Sequence, residues 1–447
     1  MAMREPNRLL EGLYRETGWT LRQLATQVNR IGTERGTPTS YSPQTARAWL
    51  LGHVPGEAAR PLILEALSRK LNRSVTYAEA GLPSSTDQGA EPADLVTGLL
   101  ELGEADMHPT RRSMLNAGFY SAALAVPAFR DFVSEGIARR MEEGSIAHVG
   151  MGDVTTVRTT TSRIADILDE MGGGVARPMA AAFLVNTVGP LLRAPGKDEV
   201  RQAMLSAASD LVYLTGWMAM YEREHGLGQR YYVKALRLAG EAKDKITYCR
   251  TLRGMSLQAS NLRFGARALE LADSAAEAAP SAGPRLVAFL RGQQAHAAAM
   301  VGNGKQAIAY LREAEAALSK ADSRRESIGG YDASAYQFHV SHVLYELSDL
   351  QGSIKAMQEC LKLQPEQERQ GRIHSNALLA QRQLEFGHLE ESCKTWHAFL
   401  DDYSVVVTAR GDEHLETLRK RIAPYQRNGA ARELGERARE VGALKRA

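Results

Sequence analysis

The chain has 447 residues, is 44% hydrophobic and carries 55 Lys+Arg against 52 Asp+Glu, a formal net charge of +3, so its length exceeds one ordinary core and two or three domains are expected. Its three cysteines, Cys249, Cys360 and Cys393, are an odd number with no CxxC spacing, which argues against a disulfide framework or a zinc site and suits a reducing cytoplasm. The excess positive charge is N-terminal: residues 1–82 hold 11 Lys+Arg against 7 Asp+Glu, leaving 44 against 45 for the remainder.

The opening "MAMREPNRLLEGLY" interrupts its apolar residues with Arg4, Glu5, Asn7, Arg8 and Glu11. It reads as a helix rather than an export signal. "WTLRQLATQVNR" places Leu21, Leu24, Ala25 and Val28 at helical spacing, and Thr20 with Gln23 forms a capping box at its start. A long loop, "NRIGTERGTPTSY", is expected next. In "YSPQTARAWLLGHVPG", Ser42 is the N-cap and Pro43 the first helical residue, Ala46, Trp49 and Leu50 face inward, and Gly52 and Pro55 end the helix. Gln44, Thr45, Arg47 and Ala48 are left outward, and such side chains at a helix start reach base edges: Gln pairs with adenine, Arg with guanine, Thr or Ala with a thymine methyl. "RPLILEALSRKL" closes this core with Leu62, Ile63, Ala66, Leu67 and Leu71.

The succession "LRQLA", "SPQTARAWLLGHVP" and "LILEALSRKLNRSVTYAEAGL", over about residues 6–82, resembles the Cro/Xre-type helix-turn-helix. The resemblance implies that the second helix meets phosphates through Thr20, Arg22 and Gln23, and that the third, capped by Ser42, reads the major groove of a double-stranded operator through Gln44, Thr45, Arg47 and Ala48. The long loop departs from the family's tight turn. Arg30 and Arg35 on it are either phosphate contacts or solvated cations.

"PSSTDQGAEPA" marks a linker at 83–94, and residues 95–204 read as a helical middle region with glycine and proline breaks. Within it "PTRRSMLNAGFYSAALAVPAF", residues 109–129, has the order of a twin-arginine export signal. It lies far from the N-terminus, so it is read as a packed helix with Arg111 and Arg112 in its first turn. "MAAAFLVNTVGPLL", residues 179–192, is the richest apolar run, and Gly189 and Pro190 are expected to break it. A soluble cytoplasmic protein, without membrane contact, is the expectation.

From about residue 205 to 447 the chain repeats. Small residues at Gly216, Ser256, Ala295, Ser341 and Ala380 are each followed, twelve residues on, by Gly228, Ala268, Ala307, Ser353 and Ser392, in steps of 40, 39, 46 and 39. Four residues further stand Tyr232, Ala272, Leu311, Met357 and Trp396, and three beyond those Ala235, Ala275, Ala314, Cys360 and Phe399. Paired antiparallel helices need small residues where they cross and larger ones between pairs. The pattern resembles the tetratricopeptide repeat (TPR), with Pro280 and Pro365 where that repeat ends. The fold class expected is therefore all-α: an N-terminal helix-turn-helix domain plus a C-terminal TPR-like α-solenoid.

This layout resembles the peptide-sensing regulators of Gram-positive bacteria and a group of actinobacterial regulators of differentiation and antibiotic production. The resemblance implies a transcriptional regulator, a homodimer built on the solenoid, and a peptide or small ligand on the concave face. In the second repeat unit that face shows Arg250, Arg253, Leu257 and Asn261, which suit a peptide because guanidinium grips carboxylate and an amide pairs with backbone. Tyr213, Trp217, His296, Phe338, His342, Tyr345 and His374 join them from neighbouring units. The rival reading is a TPR protein-interaction adaptor with a vestigial DNA-binding head.

No enzyme is expected. "GNGKQ" and "MGGGVARP" read as turns rather than phosphate loops, and no GxSxG or nucleophile-base grouping occurs. No cofactor is implied, and His339 with His342 lacks a third ligand at metal spacing.

Overall fold

The computed structural model describes residues 6–34, 38–71, 73, 75–83, 94–107, 120–122, 124, 126, 129, 148–278, 283–321 and 330–445. Among these residues every regular element is helical. The linker positions 84–93, Arg35, the arginine pair Arg111–Arg112 and Pro280 lie outside them.

Four helices form the N-terminal head: α1 Arg8–Thr17, α2 Leu21–Glu34, α3 Pro43–Leu50 and α4 Ala59–Leu71. Leu10, Leu24, Val28, Ala46, Trp49, Ile63 and Leu67 meet in one buried cluster. The capping box forms as expected, Thr20 N–H donating to Gln23 Oε1 at 2.8 Å and Gln23 N–H to Thr20 Oγ1 at 3.2 Å. The long loop is corrected: helix α2 runs on to Glu34, because Ile31 and Gly32 are buried and continue its apolar stripe. Asn29 then holds the shortened connection, donating to Tyr41 O at 2.8 Å and accepting from Tyr41 N–H at 2.7 Å. Arg30 consequently sits on a helix, paired with Glu34 at 2.9 Å.

Helix α5 (Leu95–Met107) and α6 (Met151–Met171) precede α7 (Gly173–Phe183), which runs through a π-helical stretch, Leu184–Val188, into α8 (Gly189–Arg193). Gly189 and Pro190 do not break this helix. The wide π turn just before the proline absorbs the missing N–H and the ring's bulk. The resulting 21-residue span is long and apolar enough to cross a membrane, yet here it packs between α5, α6 and α9, burying Ala176, Ala180, Leu184 and Val188. Arg177 on it donates to Asp106 at 2.7 Å, and Tyr231 reaches the same carboxylate at 3.1 Å, a buried polar knot joining three helices.

Five antiparallel pairs follow: α9 (Asp198–Tyr221) with α10 (His225–Glu241), α11 (Lys245–Asn261) with α12 (Gly265–Glu277), α13 (Pro284–Met300) with α14 (Gly304–Leu318), α15 (Ala333–Glu346) with α16 (Leu350–Leu363), and α17 (Arg369–Glu385) with α18 (Leu389–Tyr403). Helices α19 (Ala409–Ile422) and α20 (Gly429–Leu444) complete the solenoid. Each pair crosses at the small residues foreseen from the repeat. A Cβ on Gly228 would stand 3.0 Å from Gly216 O. Ser256 Oγ donates to Ala268 O at 2.7 Å, Ser341 and Ser353 bond each other's carbonyls at 2.6 and 2.9 Å, and Ser392 Oγ donates to Ala380 O at 2.7 Å. All ten of the larger positions that follow are buried, from Tyr232 and Ala235 to Trp396 and Phe399.

Seven residues past each first crossing residue the chain turns through positive φ, at Arg223, Arg263, Gly302, Ser348 and Gly387. Each turn closes with the same two bonds, as in Arg223 N–H to Met220 O at 3.1 Å and Glu224 N–H to Ala219 O at 2.8 Å, the Schellman arrangement. Three of the five carry a side chain where glycine is preferred, at a cost of roughly 1 kcal/mol each. The packing of each pair therefore overrides the local preference.

Candidate functional site

The head presents one face without internal partners. Gln44 and Arg47 on α3 and Arg22 on α2 are exposed, while Thr45, Ala48 and Ser42 are partly buried. Ser42 Oγ caps α3, accepting from Thr45 N–H at 3.2 Å. Most other basic side chains of the head are committed: Arg15 to Glu11, Arg69 to Glu34 and Glu65, Arg73 to Glu16 and Glu79. Thr20 and Gln23 spend their side-chain oxygens in capping each other, while the Arg22 guanidinium and the Gln23 amide nitrogen have no partner among the described residues.

The second candidate site lies inside the solenoid. A cavity of about 300 Å³ is walled by the first helices of successive pairs, and Tyr213, Trp217, Arg253, Leu257, Asn261, His296, Phe338, His342 and His374 all line it. Two residues of the expected stripe do not. Arg250 points to the neighbouring helix and donates to Asp210 at 2.9 Å, and Tyr345 lies over the Arg382 guanidinium at 4.6 Å with its hydroxyl on Glu385 at 3.1 Å. One helical stripe is wider than the cavity mouth, and each of these side chains found a charged partner beyond its rim.

The two ends of the solenoid meet beside this cavity. Val407 N–H donates to Met171 O at 2.8 Å and Gly174 N–H to Val407 O at 3.0 Å. Glu222, at the end of α9, accepts from Ala409 N–H at 2.9 Å, and Arg223 stands 3.6 Å from Glu413. Burial raises the Glu222 carboxyl above its usual range. The run Gly172–Gly173–Gly174 permits this clasp: a Cβ on Gly172 would lie 2.4 Å from Val407 O, and one on Gly174 2.7 Å from a Val407 methyl. Through the clasp, Ala165, Leu168 and Asp169 of α6 and Arg410 of α19 become cavity walls. None of these, nor Tyr221, Phe289 or Tyr331, was singled out from the sequence, and His339 was weighed there only as a metal ligand. Arg410 and α6 lie outside the repeat framework that located the others.

The cavity is rich in rings. Arg253 is 6% exposed; its guanidinium lies 3.9 Å from the Phe289 ring centroid and 5.4 Å from that of Trp217. Arg410 sits 4.9 Å above Tyr221. The His296 and His342 rings lie 4.6 Å apart, tilted by 42°, Phe338 lies 4.5 Å from His342, and His374 Nδ1 meets His414 Nε2 at 3.0 Å. Burial, reinforced by nearby arginines, holds these imidazoles neutral, with His296 at about 4 and His414 at about 3. His339, His342 and His374 are pushed down in the same sense. Among the described residues no group of three or more His, Cys, Asp or Glu is placed to hold a metal.

The neutral histidines set an acid limit. An unfolded histidine titrates near 6.5, so between that value and about 4 for His296 the unfolded chain binds more protons and stability falls as pH falls. His296 alone accounts for a loss on the order of 3 kcal/mol across that window. The melting temperature is expected to drop steadily from pH 7 to pH 5, less steeply in His296→Gln; equal slopes in calorimetry would show that this burial is not maintained in solution.

Residues 10–83 match the family model described as the SP15 N-terminal domain, a segment that coincides with the head. No curated protein matches the chain. Among solved structures the chain is similar to the crystal structure of the P58(IPK) TPR domain, with 14% identity over 65% of this chain and 85% of that one, at a TM-score of 0.18. A score that low aligns helices without superposing the fold, so the repeat architecture rests on the helix pairing described above.

Proposed function

We propose that the chain is a DNA-binding regulator in which the head reads a duplex and the TPR-like solenoid provides assembly and control. The observation that carries this is the exposure of three side chains on α2 and α3: Arg22 and Gln44 project from helix starts and Arg47 from the last turn of the short α3, with no side-chain partner among the described residues, in a head whose other basic residues are mostly paired. Gln and Arg exposed on a short capped helix match adenine and guanine edges in a major groove. One head covers little surface, so a two-fold assembly reading two half-sites is part of the proposal.

Selection from random duplexes with the full-length protein tests it. A bipartite enriched site is expected, and Arg47→Ala should lose roughly 1 to 3 kcal/mol of discrimination against scrambled DNA, while Arg22→Ala weakens all duplexes alike. No enrichment would leave the second reading. That reading, a protein-interaction adaptor, is favoured by the helical-pair repeat itself and by Thr20 and Gln23, whose side-chain oxygens serve the capping box.

A further inference from the structure

We infer that the cavity inside the clasped solenoid is a binding site for a small organic anion with a flat aromatic body, its negative group held by Arg253. This is independent of whether the head binds DNA. The volume, about 300 Å³, falls at the lower end of the roughly 300–1,000 Å³ typical of small-molecule sites.

Arg253 is the group that calls for a partner. It is nearly inaccessible, its Nε has no hydrogen-bond acceptor, and among the described residues it forms no ion pair. Burying a cation without a counterion is strongly unfavourable, and the two aromatic faces beside it return only part of that. The guanidinium carries its charge, since arginine is not deprotonated in proteins. Its polar neighbour is the Tyr213 hydroxyl. The carboxylates that share the cavity are engaged elsewhere: Asp332 caps α15, accepting from Ala335 N–H at 2.9 Å, and Glu368 accepts from Gln364 at 3.4 Å. Asp169 also has a partner of its own.

Apart from Arg410, from Arg285, which donates to Tyr331 O at 2.9 Å, and from these engaged carboxylates, the side chains lining the cavity around Arg253 are uncharged. Trp217, Phe289 and Phe338 offer ring faces to a flat body. Neutral imidazoles with unpartnered nitrogens, His296 Nδ1 and His342 Nε2, can donate to or accept from a polar substituent without adding charge. Arg410, across the cavity beside Tyr221, lies in the same wall as the clasp. An anion spanning Arg253 and Arg410 would thereby tie the second repeat unit to the closing helix.

The test uses three probes of one shape on the full-length protein: 2-naphthoate, 2-naphthamide and 2-naphthylmethylammonium, followed by calorimetric titration and melting temperature. Naphthoate is expected to bind at least tenfold more tightly than the amide, the cation least, and to raise the melting temperature. Arg253→Gln should remove at least tenfold of the naphthoate affinity while leaving the amide unchanged; if Arg253→Gln fails to fold by circular dichroism, Arg410→Gln serves for the same comparison, and Arg47→Ala is the control that binds normally. Equal affinity for anion and amide, no binding of either at millimolar concentration, or an unchanged naphthoate affinity in a folded Arg253→Gln protein overturns the inference and leaves a cavity that holds only water.

Discussion

Gly172→Val should open the clasp while leaving the repeat helices formed. Gly172 adopts φ 93°, ψ 167°, a region open essentially to glycine alone, and a side chain there costs of order 1–3 kcal/mol from the backbone. Steric overlap adds to this, since the first added carbon would lie 2.4 Å from Val407 O, backbone that cannot swing aside as a side-chain tip can. The bonds at stake are Val407 N–H to Met171 O and Gly174 N–H to Val407 O. Amide exchange at Val407 and Gly174 is expected to accelerate at least tenfold, with α9 to α18 retaining their protection and the far-ultraviolet circular dichroism unchanged. Unchanged exchange at those two amides would mean that the ends meet without needing the glycine. Gly174→Ala, whose Cβ faces the movable Val407 side chain first, should give the same effect in weaker form.

Trp396→Ala carries the largest expected loss of stability. Trp396 is fully buried between the last repeat pair and the closing helices, edge-to-face with Phe399 at 5.2 Å, and Phe399 in turn stacks on Tyr403 at 5.3 Å. Truncating a buried tryptophan to alanine removes about 3–5 kcal/mol through lost transfer energy and the void left behind. In a repeat protein each unit leans mainly on its neighbours, so the loss should be local. Urea unfolding followed by hydrogen exchange is expected to show α17 to α20 opening first, as a separate transition ahead of the head and the early repeats. A single transition merely shifted to lower urea would instead show that the clasp makes the ring one cooperative unit.

The repeat was legible because its signal is steric and local to the chain. Gly216 and Gly228, or Ser341 and Ser353, must be small wherever two helices cross, whatever else surrounds them, so their spacing marks the pairs directly. The same holds for the capping box at Thr20 and Gln23 and for Ser42 at the start of α3. Nine of the eleven concave-face residues named from the sequence line the cavity, found from the inward side of the first helices for the same reason. Arg250 and Tyr345 failed because a position on a stripe does not say which way a long side chain leans once Asp210 or Glu385 is within reach.

Other features had no local signature. The turns at Arg223, Arg263 and Ser348 lack the glycine that usually announces a left-handed residue; the helix pair imposes that conformation, and its energy comes from contacts many residues away. Pro190 reads as a break, yet a π turn keeps the helix continuous, since α5, α6 and α9 bury both of its halves. Burial of Ile31 extended α2 beyond the expected loop start.

By itself, then, the amino-acid pattern determined the all-helical class, the helix pairs and their crossing residues, because those depend on periodicity and side-chain size along one or two neighbouring helices. Only the tertiary structure decided that the solenoid closes on itself, that the glycine run after Met171 is the place where it closes, and that Arg253 and Arg410 share one cavity with α6. Residues 172 and 407 are far apart in the chain, and what brings them together is the accumulated curvature of successive helix pairs, a sum of small rotations that no single stretch of sequence contains.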